Sequence, residues 1–192
     1  MNYIFIALKA EADPLIRYFS LKEEKNLPNL RLFSGGNLRL IISAVGKERV
    51  LRSVDSVFSL YSPGLTDSFY NIGICGAPSD YSLNEIYLIT SVQDNESGKV
   101  LELNVKTGSD LKTAELLTVN KPLTASNDRN ITSLVDMEGV HIATALAERG
   151  FLDRLTLLKI VSDHLNPGAI KRDSVNRSIS QKLDIIDKLL VK

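Results

Sequence analysis

Residues 2–8, Asn-Tyr-Ile-Phe-Ile-Ala-Leu, are almost continuously apolar and rich in isoleucine and aromatic side chains. A strand-length run of this kind has no polar face to turn to water, so it belongs in a sheet covered by helices on both sides. Residues 155–161, Leu-Thr-Leu-Leu-Lys-Ile-Val, repeat the pattern near the other end of the chain. Residues 67–74 and 85–92 read as further strands, and 30–33 and 38–43 flank Ser34-Gly35-Gly36-Asn37 as a hairpin. Between these runs apolar residues recur at helical spacing. The spacing predicts helices over 9–22, after Gly46 as far as Pro63-Gly64, over 138–148 up to Gly150, and as one amphipathic helix over 175–191. Residues 93–132 carry a weak, polar pattern and read as loops with short elements, before a strand over 131–135. Strands alternating with helices predict a three-layer α/β/α domain around a mixed, largely parallel twisted sheet.

Composition narrows the function classes. The chain has 192 residues, with 23 Lys and Arg against 23 Asp and Glu, and no run of five like charges. The length fits one domain over 1–192. A zero charge balance excludes a broad nucleic-acid face, which needs a clear cationic excess. Cys75 is the only cysteine, so nothing asks for an oxidising compartment. A charge arrives at Lys9, too soon for a signal peptide or a membrane span, and a cytoplasmic protein is expected.

Three strand ends carry acids: Glu11 after the first strand, Asp136 and Glu138 after residues 131–135, and Asp163 after residues 155–161. An acid at such a place has two readings. It caps the helix that follows, or it faces a ligand, because open α/β sheets bind ligands beyond the carboxyl ends of their strands.

The sequences around these acids resemble a family. Val135-Asp136-Met137-Glu138-Gly139 is similar to the Glu/Asp-Met-Glu motif of the purine nucleoside phosphorylase/nucleosidase superfamily, and Val161-Ser162-Asp163-His164 to its Ser-Asp motif. Asn71-Ile72-Gly73-Ile74-Cys75-Gly76-Ala77 resembles its glycine-bearing strand end, and Ser43-Ala44-Val45-Gly46-Lys47 its Ser-Gly-x-Gly-Lys loop. Ala7-Leu8-Lys9-Ala10-Glu11 is similar to the start of the methylthioadenosine/adenosylhomocysteine nucleosidases. The five motifs occur in family order.

The resemblance implies a phosphorylase-like fold and cleavage of a nucleoside's N-glycosidic bond. Departure of the base leaves an oxocarbenium-like sugar, so the base must gain a proton as it leaves. By resemblance Asp163 is that acid and Ser162 holds its side chain. Glu11 activates the attacking water, Glu138 accepts hydrogen bonds from the ribose hydroxyls, and Met137 packs against the sugar. Ile74, Cys75 and Gly76 complete the implied substrate contacts. The resemblance also implies a homodimer, a small-molecule nucleoside substrate of the adenosine type, no metal and no organic cofactor.

Hydrolases and phosphorylases of the superfamily differ in the nucleophile. Phosphate needs converging arginines and a glycine-rich loop. Here the loop after the first strand, Leu8-Lys9-Ala10-Glu11-Ala12-Asp13, has neither glycine nor arginine, and Asn71 and Ile74 stand where phosphorylases carry Arg and Ser. Hydrolysis is the expectation. A phosphate-dependent phosphorylase and a nucleoside-binding protein with little or no turnover are the alternatives. Between Thr90 and Asp136 the chain is several tens of residues shorter than typical members, which leaves the base and the 5′ group open. Cys75, with no histidine near it in sequence, reads as a small buried thiol rather than a nucleophile. His141, one turn after Glu138, lacks the companions of a zinc signature.

Overall fold

The computed structural model of the chain describes residues 1–25, 27, 30–105, 110–124 and 131–190. Among these the sheet begins with β1 (Asn2–Ile6), whose five residues are all buried, as the apolar run requires. Strands β4 (Leu38–Ile42) and β5 (Ser68–Gly76) lie parallel to β1 on either side, and β10 (Leu155–Asp163) lies parallel to β5. β3 (Arg31–Gly35) returns antiparallel on β4 through a two-residue turn at Gly36 and Asn37, and β2 (Lys22–Glu23) forms that edge. Gly36 has φ +56°, a left-handed conformation that glycine adopts without the steric cost of a Cβ.

The other half of the sheet curls back on itself. β6 (Ile86–Asp94) runs antiparallel to β10, β8 (Lys112–Thr118) parallel to β6, and β9 (Leu134–Asp136) parallel to β8. β9 then meets β5 through the pair Gly76 and Val135, closing a ring of five strands, while β7 (Val100–Glu102) pairs with β6. Gly76 is therefore a junction: β10 reaches it at Asp163, after a bulge past Val161, and β9 reaches it at Val135.

Helices cover both faces. α2 (Lys47–Tyr61) and α3 (Gly139–Ala147) pack Val50, Val54, Val57, Ile142 and Leu146 on one side. α1 (Lys9–Tyr18), α4 (Arg172–Ser180) and α5 (Leu183–Leu190) pack Ala12, Leu15, Ile179, Ile186 and Leu190 on the other. The three-layer expectation is met, and no described helix is long and apolar enough to cross a membrane.

Two readings of the chain change. The weak stretch 93–132 holds two strands, one of them the seven-residue β8. β8 buries Ala114, Leu116 and Thr118 and exposes Lys112, Thr113 and Glu115, so one wet face masks it as a polar segment. Residues 106–109 and 125–130 of that stretch lie outside the described residues. The single helix expected over 175–191 is two helices, and Val191 also lies outside the described residues. The Ser180 hydroxyl donates to the Asn176 carbonyl, a local bond that competes with helix continuation, and the Asn84 amide holds the next side chain, Gln181.

Under α2 and α3 the aromatic rings form a stack. Phe69 lies 5.4 Å from the Tyr3 ring, 5.7 Å from Phe58 and 5.4 Å from Phe151, fully buried. Phe69→Ala is expected to lower the unfolding free energy by about 3–5 kcal/mol, read by guanidinium denaturation.

Candidate active site

The carboxyl ends of β1, β4, β5 and β10, together with the end of β9, open into one cavity of about 660 Å3 including its mouth. Every catalytic or substrate-contact residue that the resemblance implies lines it: Glu11, Ile74, Cys75, Gly76, Met137, Glu138, Ser162 and Asp163. Asp136 joins them, and Val119, Pro122, Leu123, Leu165, Pro167 and Ile170 give the cavity an apolar wall. Its described lining carries four carboxylates, Glu11, Asp136, Glu138 and Asp163, and no Lys or Arg.

Glu11 sits in the first turn of α1. One carboxylate oxygen accepts from the Leu8 N–H at 2.8 Å, capping the helix, and the other accepts from the Ile74 N–H at 2.8 Å. The carboxylate occupies the room left by Gly73, where a Cβ would lie 2.9 Å from Oε1. The cap and the cavity face are thus one side chain. Burial pushes the Glu11 carboxyl up, against the two amide donors and the charge of Lys159.

Asp136 and Glu138 divide their work. Asp136 accepts from the Thr118 hydroxyl at 2.7 Å and the Gly139 N–H at 2.8 Å, and pairs with Lys159 Nζ at 2.7 Å. The same Thr118 oxygen accepts from the Val140 N–H, so the start of α3 is closed by two side chains. Among the described residues Glu138 has a single hydrogen-bond partner, the Gly46 N–H at 3.3 Å, and it lines the cavity.

Asp163 is set by its neighbours. Oδ1 accepts from the Asn166 N–H at 2.6 Å, and Oδ2 lies 2.7 Å from the Ser162 hydroxyl. Ser162 Oγ is also 3.0 Å from the Cys75 carbonyl. One hydroxyl has one proton, and given to Cys75 it leaves Ser162 Oγ free to accept from a protonated Asp163. The arrangement holds Asp163 in either protonation state. Met137 packs with Val119, Val135 and Leu165. The Cys75 thiol is buried and driven upward by desolvation, the signature of an inert thiol. Asn71 lies outside the lining, with its amide on the Phe5 carbonyl, and His141, buried, is outside it too.

Sequence reasoning missed Lys159 and Thr118. Lys159 was visible as the single charge inside an otherwise apolar strand; Thr118 had no signal beyond its place near an apolar pair.

Neither a protein-family model nor a curated protein matches the chain. Solved structures do. A Helicobacter pylori 5′-methylthioadenosine/S-adenosylhomocysteine nucleosidase superposes with a TM-score of 0.80 at 15% identity, covering 98% of this chain and 97% of that one. Helicobacter pylori futalosine hydrolase superposes with 0.80 at 15% identity over 98% and 96%. Arabidopsis thaliana 5′-methylthioadenosine nucleosidase gives 0.75 at 19% identity over 96% and 95%. The chain has the nucleoside phosphorylase/nucleosidase fold.

On this nucleosidase fold the carboxyl of Glu138 stands out. Burial, then repulsion from Asp136, pushes it from 4.5 up to about 7, with Lys159 and the Gly46 N–H pulling the other way. The folded chain therefore holds a proton that the unfolded chain has lost between these two values. The stability this contributes is full below about 4.5 and is lost as the pH rises through about 7. Urea midpoints of the wild type are expected to fall from about pH 5 to about pH 8, and Glu138→Gln is expected to flatten that slope.

Proposed function

We propose that the cavity hydrolyses the N-glycosidic bond of an adenosine-type nucleoside, with water as the nucleophile. The observation that carries this reading is the lining itself, four carboxylates with no cation among its described residues. An incoming phosphate dianion would find no Lys or Arg among the described lining residues to receive it, whereas water and the hydroxyls of a sugar find carboxylate acceptors there. A related solved structure, a Helicobacter pylori nucleosidase mutant, carries 5′-methylthioadenosine in its active site, which supports an adenosine with an apolar 5′ group. The apolar wall from Val119 to Leu123 and from Leu165 to Ile170 suits such a base and substituent.

In this mechanism Glu138 and Met137 hold the sugar, the carboxylate taking two hydroxyl donors. Asp163 gives its proton to the purine ring as the bond between the base nitrogen and the anomeric carbon breaks, and the bonding pair leaves with the base. Water bonds to the anomeric carbon and loses a proton to Glu11. Release of that proton to solvent and uptake of one by Asp163 reset the site. Ser162, between Asp163 and the Cys75 carbonyl, keeps the acid aimed in both states. The reading includes a homodimer and a single domain over 1–192, checked by solution mass and by one cooperative unfolding transition.

The test is a panel of adenosine, 5′-methylthioadenosine, S-adenosylhomocysteine and inosine, incubated with and without phosphate and followed for free base. Release without phosphate is expected; strict phosphate dependence would replace water by phosphate, and tight binding without release would make the protein a binder. Asp163→Asn is expected to slow release by about 100-fold or more with the fold intact. Glu11→Gln is expected to lower kcat far more than it moves KM.

A further inference from the structure

Lys159 is the one cation at the heart of the acid cluster, and it does not line the cavity. Its side chain is 2% exposed and that of Asp136 1%, and the two meet at 2.7 Å. Asp136 is tied down by Thr118 and Gly139, which anchors the ammonium behind the cavity floor. Across the sheet Lys159 stands opposite Gly73, the position that makes room for the Glu11 carboxylate. The charged and titratable groups packed around it come from every neighbouring element: Asp136 at the end of β9, Glu138 before α3, Glu11 on α1, Cys75 on β5, and Tyr87 opposite in register on β6. His141 on α3 faces Asp136, and its Nε2 is buried without a hydrogen-bond partner.

Three acids around one ammonium cannot all ionise at no cost in a space closed to water. Asp136 has three donors. Glu11 has two amide donors and Glu138 one. We propose that Lys159 is a positioning residue whose ammonium, clamped on Asp136, sets how much negative charge the Glu11 and Glu138 pair carries, and so whether the sugar side of the cavity presents an ionised acceptor. Because Asp136 takes the closest share of the ammonium, Glu138 receives only what is left. The two members of the ion pair therefore push Glu138 in opposite directions: Lys159 favours its ionised form and Asp136 opposes it. Burial adds to the second effect, in line with a Glu138 carboxyl that titrates at about 7.

This inference rests on the nucleosidase reading for its consequence in catalysis, but its test does not need turnover. The full-length protein is labelled with carboxyl-13C glutamate, and the Glu138 signal is assigned by its loss in Glu138→Gln. The wild-type signal is expected to titrate near 7; an ordinary midpoint near 4.5 would overturn the proposal by itself. Asp136→Asn keeps one acceptor, for the Gly139 N–H, and turns an amide donor toward the Thr118 oxygen while freeing the ammonium, and is expected to move the Glu138 midpoint down by about one pH unit or more. Lys159→Met is expected to move it up by about one unit, since the pull of the ammonium on the Glu138 carboxylate is lost. Lys159→Arg, which keeps the charge, is expected to stay within about a third of a unit. A midpoint that does not move in the variants that fold, or that moves in the same direction in Asp136→Asn and Lys159→Met, overturns the proposal. The acid limb of kcat/KM for base release is expected to follow the carboxyl midpoint in each variant. Absence of release from every nucleoside with a midpoint that still moves would sink the nucleosidase reading and leave the charge control standing.

Discussion

A lysine and an aspartate, both shut away from water, join the two halves of this protein. Taking each ion out of water costs several kcal/mol, and the attraction between them offsets that only where the remaining hydrogen-bonding capacity is also met. Here it is met for Asp136 by the Thr118 hydroxyl and the Gly139 N–H. The pair therefore ties β10 to β9, and through Thr118 and Gly139 it ties both to β8 and to the start of α3. β9 is only three residues long and touches β5 through a single register pair. Its place beside the cavity follows from its three-residue pairing with β8 together with this buried polar network, and Met137 and Glu138 go where it goes.

The strand ends could not converge if every position carried a side chain. A Cβ on Gly73 would fall 2.9 Å from a Glu11 oxygen, and one on Gly139 would fall 2.6 Å from Leu116 and 3.1 Å from Asp136. Each glycine marks a point where a carboxylate or a core side chain takes the room. This close approach lets Glu11 reach across from α1 to the Ile74 amide, bringing an acid from the start of the chain to a strand that begins some sixty residues later.

The parts of the fold that showed in the sequence were those whose burial is uniform. β1 and β10, wet on neither face, stood out as apolar runs, and the helices showed as one-sided stripes. β8 was obscured because half its residues face water, and the division between α4 and α5 because the apolar spacing runs on through a break made by local hydrogen bonds. At the site, Glu11, Glu138 and Asp163 were legible as acids at strand ends, since strand ends in such sheets face ligands. Lys159 was harder to value. Its meaning lies in a partner 23 residues away and on another strand, and single-chain periodicity does not report such pairs.

Capping a helix and facing a ligand site were posed as rival readings of these acids, and the geometry joins capping with a place in the cavity lining. Glu11 caps α1 with one oxygen and meets Ile74 with the other, while Asp163 accepts from the Asn166 amide with one oxygen and meets Ser162 with the other. Backbone N–H groups move little, so an acid held by them keeps its direction without any flexible partner that must itself be ordered. The same bonds shape the electrostatics. Among the described residues they give the carboxylates unequal numbers of donors, three for Asp136, two each for Glu11 and Asp163, and one for Glu138. Burial pushes the Glu11 and Glu138 carboxyls up, and no Lys or Arg stands among the described lining residues to draw them back down from within the cavity. In the proposed reaction, such a lining suits water better than a charged nucleophile.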